Sequence, residues 1–170
     1  MRKRTLVLAL LALPMLAIGG IAAAAGAFDG AKSSTARFHD LNQAIAAGYS
    51  VKVADLAGIE CIAEPGEGAM GVHMLNPSLL DARIDAAQPE LLVYEPRGNG
   101  SLKLVALEYL VLKGAWKGAE KPALFGRGFD EIGPGNRYGL PAFYALHAWI
   151  WKPNPSGILN AWNPRVDCGG

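Results

Sequence analysis

A chain of 170 residues, 51% of them hydrophobic, is long enough for one domain with a substantial core. Its 16 basic residues against 15 acidic ones give a formal net charge of +1. Beyond the N-terminus no basic cluster appears, which argues against nucleic acid as a partner.

The chain opens with Arg2, Lys3 and Arg4, followed by an apolar run over 6–16 and small residues over 19–27. That layout is the one of a secretory signal, with candidate exits after Ala23-Ala-Ala25 or Ala25-Gly-Ala27. The alternative is a retained single membrane anchor, since the apolar and small residues together approach the roughly 20 needed to span a bilayer. Pro14, Gly19 and Gly20 favour cleavage. Residues 1–27 are therefore read as a signal peptide and 28–170 as a single globular domain, secreted or periplasmic, with no membrane contact after cleavage. Without Arg2, Lys3 and Arg4, the 16 basic residues become 13 against 15 acidic ones, a net −2.

Residues 28–34 read as a polar lead-in. Ser33, Ser34 or Thr35 then caps a helix over 36–47, in which Phe38, Leu41, Ala44 and Ile45 recur at helical spacing. Gly48 ends it. His39 lies at the edge of that helix's apolar face. Residues 49–57 fit extended chain and a helical turn equally well. Residues 60–71 read as a loop with Pro65 and three glycines. Gly66, Gly68 and Gly71 match the Gly-x-Gly-x-x-Gly pattern in form, but a dinucleotide site needs a strand before it and a helix after it. Here a strand follows.

The first strand is expected over 72–75, stopped by Asn76-Pro77. Ser78 caps a short turn over 79–85, and a second strand follows over 90–95. A Gly-rich turn at 96–100 joins it to a third strand over 101–113, so this pair reads as a hairpin. Residues 114–140, with seven glycines, are a long covering loop. A fourth strand runs over 141–151, and a tail with three prolines is pinned by Ile158, Leu159 and Trp162. These elements predict an α+β domain: a curved antiparallel sheet of about four long strands, possible as a barrel, with an N-terminal helix and the long loop over it.

Cys61 and Cys168 are the only cysteines. In an exported protein an even pair reads first as a disulfide, with a copper or zinc thiolate site as the alternative.

Three strand-like runs each hold one polar residue among apolar ones: His73 in 71–75, Glu108 in 104–111 and His147 in 141–151. A polar group buried without a partner costs about 1–3 kcal/mol, so each needs one. One ligand from each of three strands is how a 2-His-1-carboxylate metal site is built, with His39 a candidate fourth ligand. Such donors suit zinc, copper, iron or nickel. The competing reading pairs Glu108 with Arg83, Arg97, Arg127 or Arg137, leaves the histidines in the core and makes the chain a non-catalytic secreted interaction domain. The partner is then a metal ion or small-molecule ligand in the first reading and another protein in the second. There is no Gly-x-Ser-x-Gly, His-Glu-x-x-His, phosphate loop or Cys-x-x-Cys to name a reaction.

Gly68-Ala-Met-Gly-Val-His-Met-Leu-Asn76, Leu104-Val-Ala-Leu-Glu-Tyr109, and Leu146-His-Ala-Trp-Ile-Trp-Lys-Pro-Asn-Pro-Ser-Gly157 with Trp162-Asn-Pro-Arg-Val-Asp-Cys168 resemble a family of exported bacterial proteins with no assigned activity. The resemblance covers most of 35–168. It implies export and a shared domain, and assigns no catalytic residue. N-terminal sequencing of exported material is expected to start between Gly26 and Phe28; a membrane-held protein that still starts at Met1 refutes cleavage.

Overall fold

The computed structural model describes residues 18–169. The basic end and the apolar run of the expected signal lie outside the described residues, while both candidate exits fall within the first helix, α1 (Ile18–Thr35). No helix among the described residues is long and apolar enough to cross a membrane.

The expected polar lead-in is the last half of α1. Its hydroxyls bond back into the helix instead of capping the next one: Ser33 donates to the Asp29 carbonyl at 2.9 Å and Thr35 to the Ala31 carbonyl at 2.6 Å. The single helix expected over 36–47 is divided at Asp40. A 3₁₀ turn (Ala36–His39) precedes α2 (Leu41–Ala46), and Asp40, not Ser or Thr, caps α2 by accepting from the Asn42 amide at 2.9 Å. Gly48 ends α2 at φ +102°, and Asn76 donates to the Ala47 carbonyl at 3.1 Å.

Nine strands follow among the described residues. They are β1 (Val51–Lys52), β2 (Cys61–Glu64), β3 (Gly68–Leu75), β4 (Leu91–Pro96), β5 (Leu102–Leu112), β6 (Ala123–Leu124), β7 (Arg127–Gly128), β8 (Asp130–Ile132) and β9 (Phe143–Ala148). Seven form one open antiparallel sheet in the order β1-β3-β4-β5-β9-β8, with β2 also on β3; β6 and β7 make a small ribbon. The fold is thus α+β as expected, but the sheet does not close into a barrel. Nor does it consist of four long strands: β4 and β9 have six residues each, and short strands extend both edges.

The loop expected over 60–71 is a β2–β3 hairpin. Its glycines serve the backbone, not a nucleotide. A Cβ on Gly68, at φ +105°, would stand 2.3 Å from the Asn163 carbonyl oxygen, and one on Gly71, at φ +101°, would stand 2.7 Å from that of Tyr94. The short turn after β3 is a 3₁₀ segment (Pro77–Leu79) capped by Asn76 and not by Ser78.

One face of the sheet carries Met74, Tyr94, Leu107, Tyr109 and Leu146 and packs against Phe38 and Ala44 of the helical layer. Phe125 and Phe129 of the long loop join this face, and Phe28 of α1 stacks on Phe125 with centroids 4.1 Å apart. The other face carries Leu91, Leu110, Phe143 and Ala145, covered by Ile132 and Tyr138 further along the same loop. The loop therefore wraps an edge of the sheet and covers both faces. A bulge at Val105 divides β5: Val93 pairs with Ala106 while Tyr94 pairs with Leu104. Beyond it, Ala106, Glu108 and Leu110 all face away from the helices.

The tail is stitched to the β2–β3 edge. Ala69 and Asn163 exchange backbone hydrogen bonds at 3.1 Å, and Cys61 is bonded to Cys168 across 107 residues. In the chain-entropy account, closing a loop of that length contributes up to about 4–5 kcal/mol. Cys61→Ser with Cys168→Ser is expected to lower unfolding stability by up to that amount, and non-reduced peptide mapping to show one linked pair. Two free thiols in air-oxidised protein refute the bond.

Candidate metal centre

Each of the three lone polar residues sits on a different strand of the same face. Glu108 on β5 is directly opposite His147 on β9. His73 on β3 is level with Val93 of β4, which in turn is level with Ala106 of β5. Because Glu108 lies two residues beyond Ala106 on the same face, His73 reaches it diagonally across β4. Alternation and these registers put all three side chains on one face.

The three meet. Nε2 of His73 is 3.1 Å from Nε2 of His147 and 3.3 Å from Oε2 of Glu108, and Nδ1 of His147 is 3.9 Å from Oε1 of Glu108. One ligand atom from each lies within 4.8 Å of the others. Two imidazole nitrogens held at about 2.0–2.1 Å by one tetrahedral ion stand roughly 3.3 Å apart, so the donor spacing fits a shared cation. All are buried: His73 and His147 are 4% exposed and Glu108 8%. Trp149, nearly parallel to the His147 ring at 6.1 Å between centroids, backs it.

No arginine among the described residues reaches Glu108. Among the described residues Arg83 pairs with Asp81, Arg127 with Asp130 and Arg137 with Asp55, whereas the ion-pair contacts of Glu108 are the two histidines. The competing reading's salt bridge is not formed, and the histidine pair stands in its place. His39 is not part of the cluster. It is exposed and packs edge-on against Trp151 at 4.5 Å, in the helical layer on the opposite side of the sheet. The sheet itself stands between it and the cluster. Glu60 is on the surface with Lys52, and Trp149 is core.

Burial sets the charge state. Desolvation holds His73 down to about 4, opposed by a backbone hydrogen bond at Gly71. It holds His147 well below the usual imidazole range, helped by the nearby His73 and Arg127. It pushes Glu108 up to about 8, with the Glu90 carboxyl adding to the shift. Without a cation the cluster is uncharged at pH 7: one imidazole donates to the other, and Glu108 keeps its proton.

Two residues went unnoticed in the sequence. Glu90 is 2% exposed, accepts from the Leu110 amide at 2.9 Å and is pushed up to about 8 by burial. At a strand end beside Pro89 it reads as a surface charge; the signal was that proline, which stands where the β4–β5 ladder would next meet Leu110. Tyr138, in the long loop, has its hydroxyl pushed up to about 12 by desolvation and by Glu108. Nothing in a Gly-rich loop singles it out by pattern.

Two cavities adjoin the cluster. One, of about 170 Å³, has His73 and Glu108 in its wall; the other, of about 230 Å³, has Glu108 and His147, and Tyr138 and Phe143 line both. In comparisons with known proteins, no family model, curated protein or solved structure matches the chain.

For the metal-free protein the sign of the pH dependence follows from which state holds the proton. Glu108 and Glu90, folded, bind theirs up to about 8 against an ordinary 4.5, so their stabilisation is full below 4.5 and is lost as pH rises through about 8. His73 acts oppositely: its contribution is full above 6.5 and is lost as pH falls through about 4. Between pH 6.5 and 8 only the carboxyls act, each by at most about 1.4 kcal/mol per pH unit. Urea unfolding is expected to show stability declining over that window, and Glu108→Gln to remove about half the decline. An unchanged slope in the variant refutes the protonated Glu108.

Proposed function

We propose that this is an exported domain that binds one divalent transition metal through His73, Glu108 and His147. The observation that carries the reading is the convergence of three buried donors, from three strands, on one point with no arginine at the carboxylate. Two imidazoles and a carboxylate suit zinc, iron, copper or nickel better than calcium or magnesium, which prefer oxygen ligands. The Gly71 backbone contact on His73 is of the kind that orients a ligating imidazole. The Cys61–Cys168 bond supports an oxidising compartment.

Three protein donors leave coordination positions open, and both cavities border the cluster. Bound there, the ion supplies a Lewis acid toward a water or small ligand, or dioxygen chemistry if it is iron. The protein's part is to hold the donors rigidly on the sheet and to exclude bulk water. Loading at pH 7 displaces the Glu108 proton, so affinity rises with pH through about 8.

Untagged mature protein, purified in metal-supplemented medium, is expected to carry about one transition-metal ion per chain. Glu108→Gln should weaken binding by more than about 100-fold, beyond the 10–100-fold typical of groups that only orient ligands. His73→Ala with His147→Ala should abolish it. A folded double variant that retains the parent's metal content ends the reading.

A further inference from the structure

The cavity of about 170 Å³ beside the cluster differs in chemistry from the cluster itself. Its walls are Leu75, Leu91, Leu110, Leu112 and Phe143, and its ionisable members are His73, Glu108 and Tyr138, with no lysine, arginine or aspartate among them. An apolar cavity of 150 Å³ is enough for benzene, so this one takes a single ring or its aliphatic equivalent. It is far below the 300–1,000 Å³ of sites for drug-sized ligands.

The approach to it is apolar as well. Leu80 and Leu140, which also line it, are 38% and 39% exposed, and Leu56, 78% exposed, lies against Gly139 beside them. Exposed leucines gathered at the mouth of an apolar cavity are the pattern of a ligand entrance, not of a closed core. At its inner end, His73 and Glu108 are the groups a ligand would meet.

We infer that this cavity binds a small molecule with an apolar body of about one ring and a single ligating oxygen, held with the oxygen toward His73 and Glu108. It rests on the metal reading for the role of that oxygen, but the apolar cavity needs no metal. A highly polar molecule of similar size loses its hydration against leucine and phenylalanine walls without gaining partners there.

The probes are toluene, phenol and glycerol, added at millimolar concentration to the full folded domain with ¹³C-labelled leucine methyls. In metal-free protein, toluene and phenol are expected to shift the Leu91 and Leu110 methyl resonances saturably, and glycerol to leave them unchanged. Phenol, and not toluene, is expected to shift the His73 ring resonances. Leu75→Phe, or Leu112→Phe should the first misfold, is expected to weaken both probes at least tenfold while the thermal midpoint stays within a few degrees. In cobalt-loaded protein, phenol and not toluene should alter the visible bands of the ion.

Absence of methyl shifts with either aromatic probe, or equal shifts with glycerol, overturns the inference. So do shifts that survive the cavity-filling variant undiminished, and so does phenol that binds without touching the His73 or cobalt signals. Protein that binds the probes as described but takes up no cobalt upholds this inference and removes the metal reading. Protein that holds cobalt and binds neither aromatic probe overturns this inference and leaves the metal reading standing.

Discussion

One constraint shapes the centre of this sheet: three ionisable side chains are enclosed in an apolar layer and, among the described residues, find their side-chain partners in each other. Left separately unpaired, each would cost about 1–3 kcal/mol or more. Set together, one imidazole donates to the other, and the carboxyl lies within 3.3 Å of His73. The network is consistent only as a whole. Removing Glu108 leaves two imidazoles with a single hydrogen bond between them; removing one imidazole leaves a buried carboxyl without its nearest partner. Burial also makes the neutral state the resting one, which is why the imidazoles are pushed down and the carboxyl up.

That arrangement is imposed by the backbone. The direct opposition of Glu108 and His147 is set by the β5–β9 register, and a slip of one residue would carry His147 to the helical face. The Val105 bulge puts Leu104 and Ala106 on opposite faces of β5, and the chain after β9 holds the bulge. The Val105 carbonyl accepts from the Trp151 and Lys152 amides at 3.2 and 3.1 Å, and Lys152 pairs with Glu95. Trp149, whose ring backs His147, donates to the Asn160 carbonyl at 2.6 Å. The tail that receives this bond is anchored in turn at Asn163 and Cys168. The disulfide thus acts on the site through a chain of contacts: Cys168 fixes the tail, the tail fixes Trp149, and Trp149 supports an imidazole.

The parts legible in the sequence were those where burial dictates composition. The strands around His73, Glu108 and His147 showed as apolar runs, and the polar intruders stood out for the same reason. The β4–β5 hairpin declared itself by its glycine turn. What escaped was structure made by backbone contacts or by single hydrogen bonds. The early half of β3 was hidden by Gly68 and Gly71, residues that disfavour strands but are required here by the backbones of Asn163 and Tyr94. The break at Asp40 was masked by helical spacing on both sides of it. Residues 28–34 looked like a lead-in because hydroxyls favour caps in general, yet here they bond back to their own helix. His39 was misplaced because its spacing does not say which face of the sheet its segment packs on. Strand β8 has three residues, too few for any periodicity.

The site divides into a rigid floor and a replaceable roof. His73, Glu108 and His147 rise from inner strands of the sheet, and Glu108 is paired on both sides, with Leu91 and His147, as a centre that must hold its geometry requires. Its cover comes from the long segment before β9. That segment is held by the pairing of β8 with β9, by Phe125 and Phe129 in the core, by the Lys113–Glu131 and Arg137–Asp55 ion pairs, and by the Leu56 amide on the Arg137 carbonyl at 2.9 Å. The same division separates two kinds of selectivity. With a metal bound as proposed, the choice of ion would belong to the floor and its donors, and the choice of what reaches it to Tyr138, Leu140 and their neighbours in the roof.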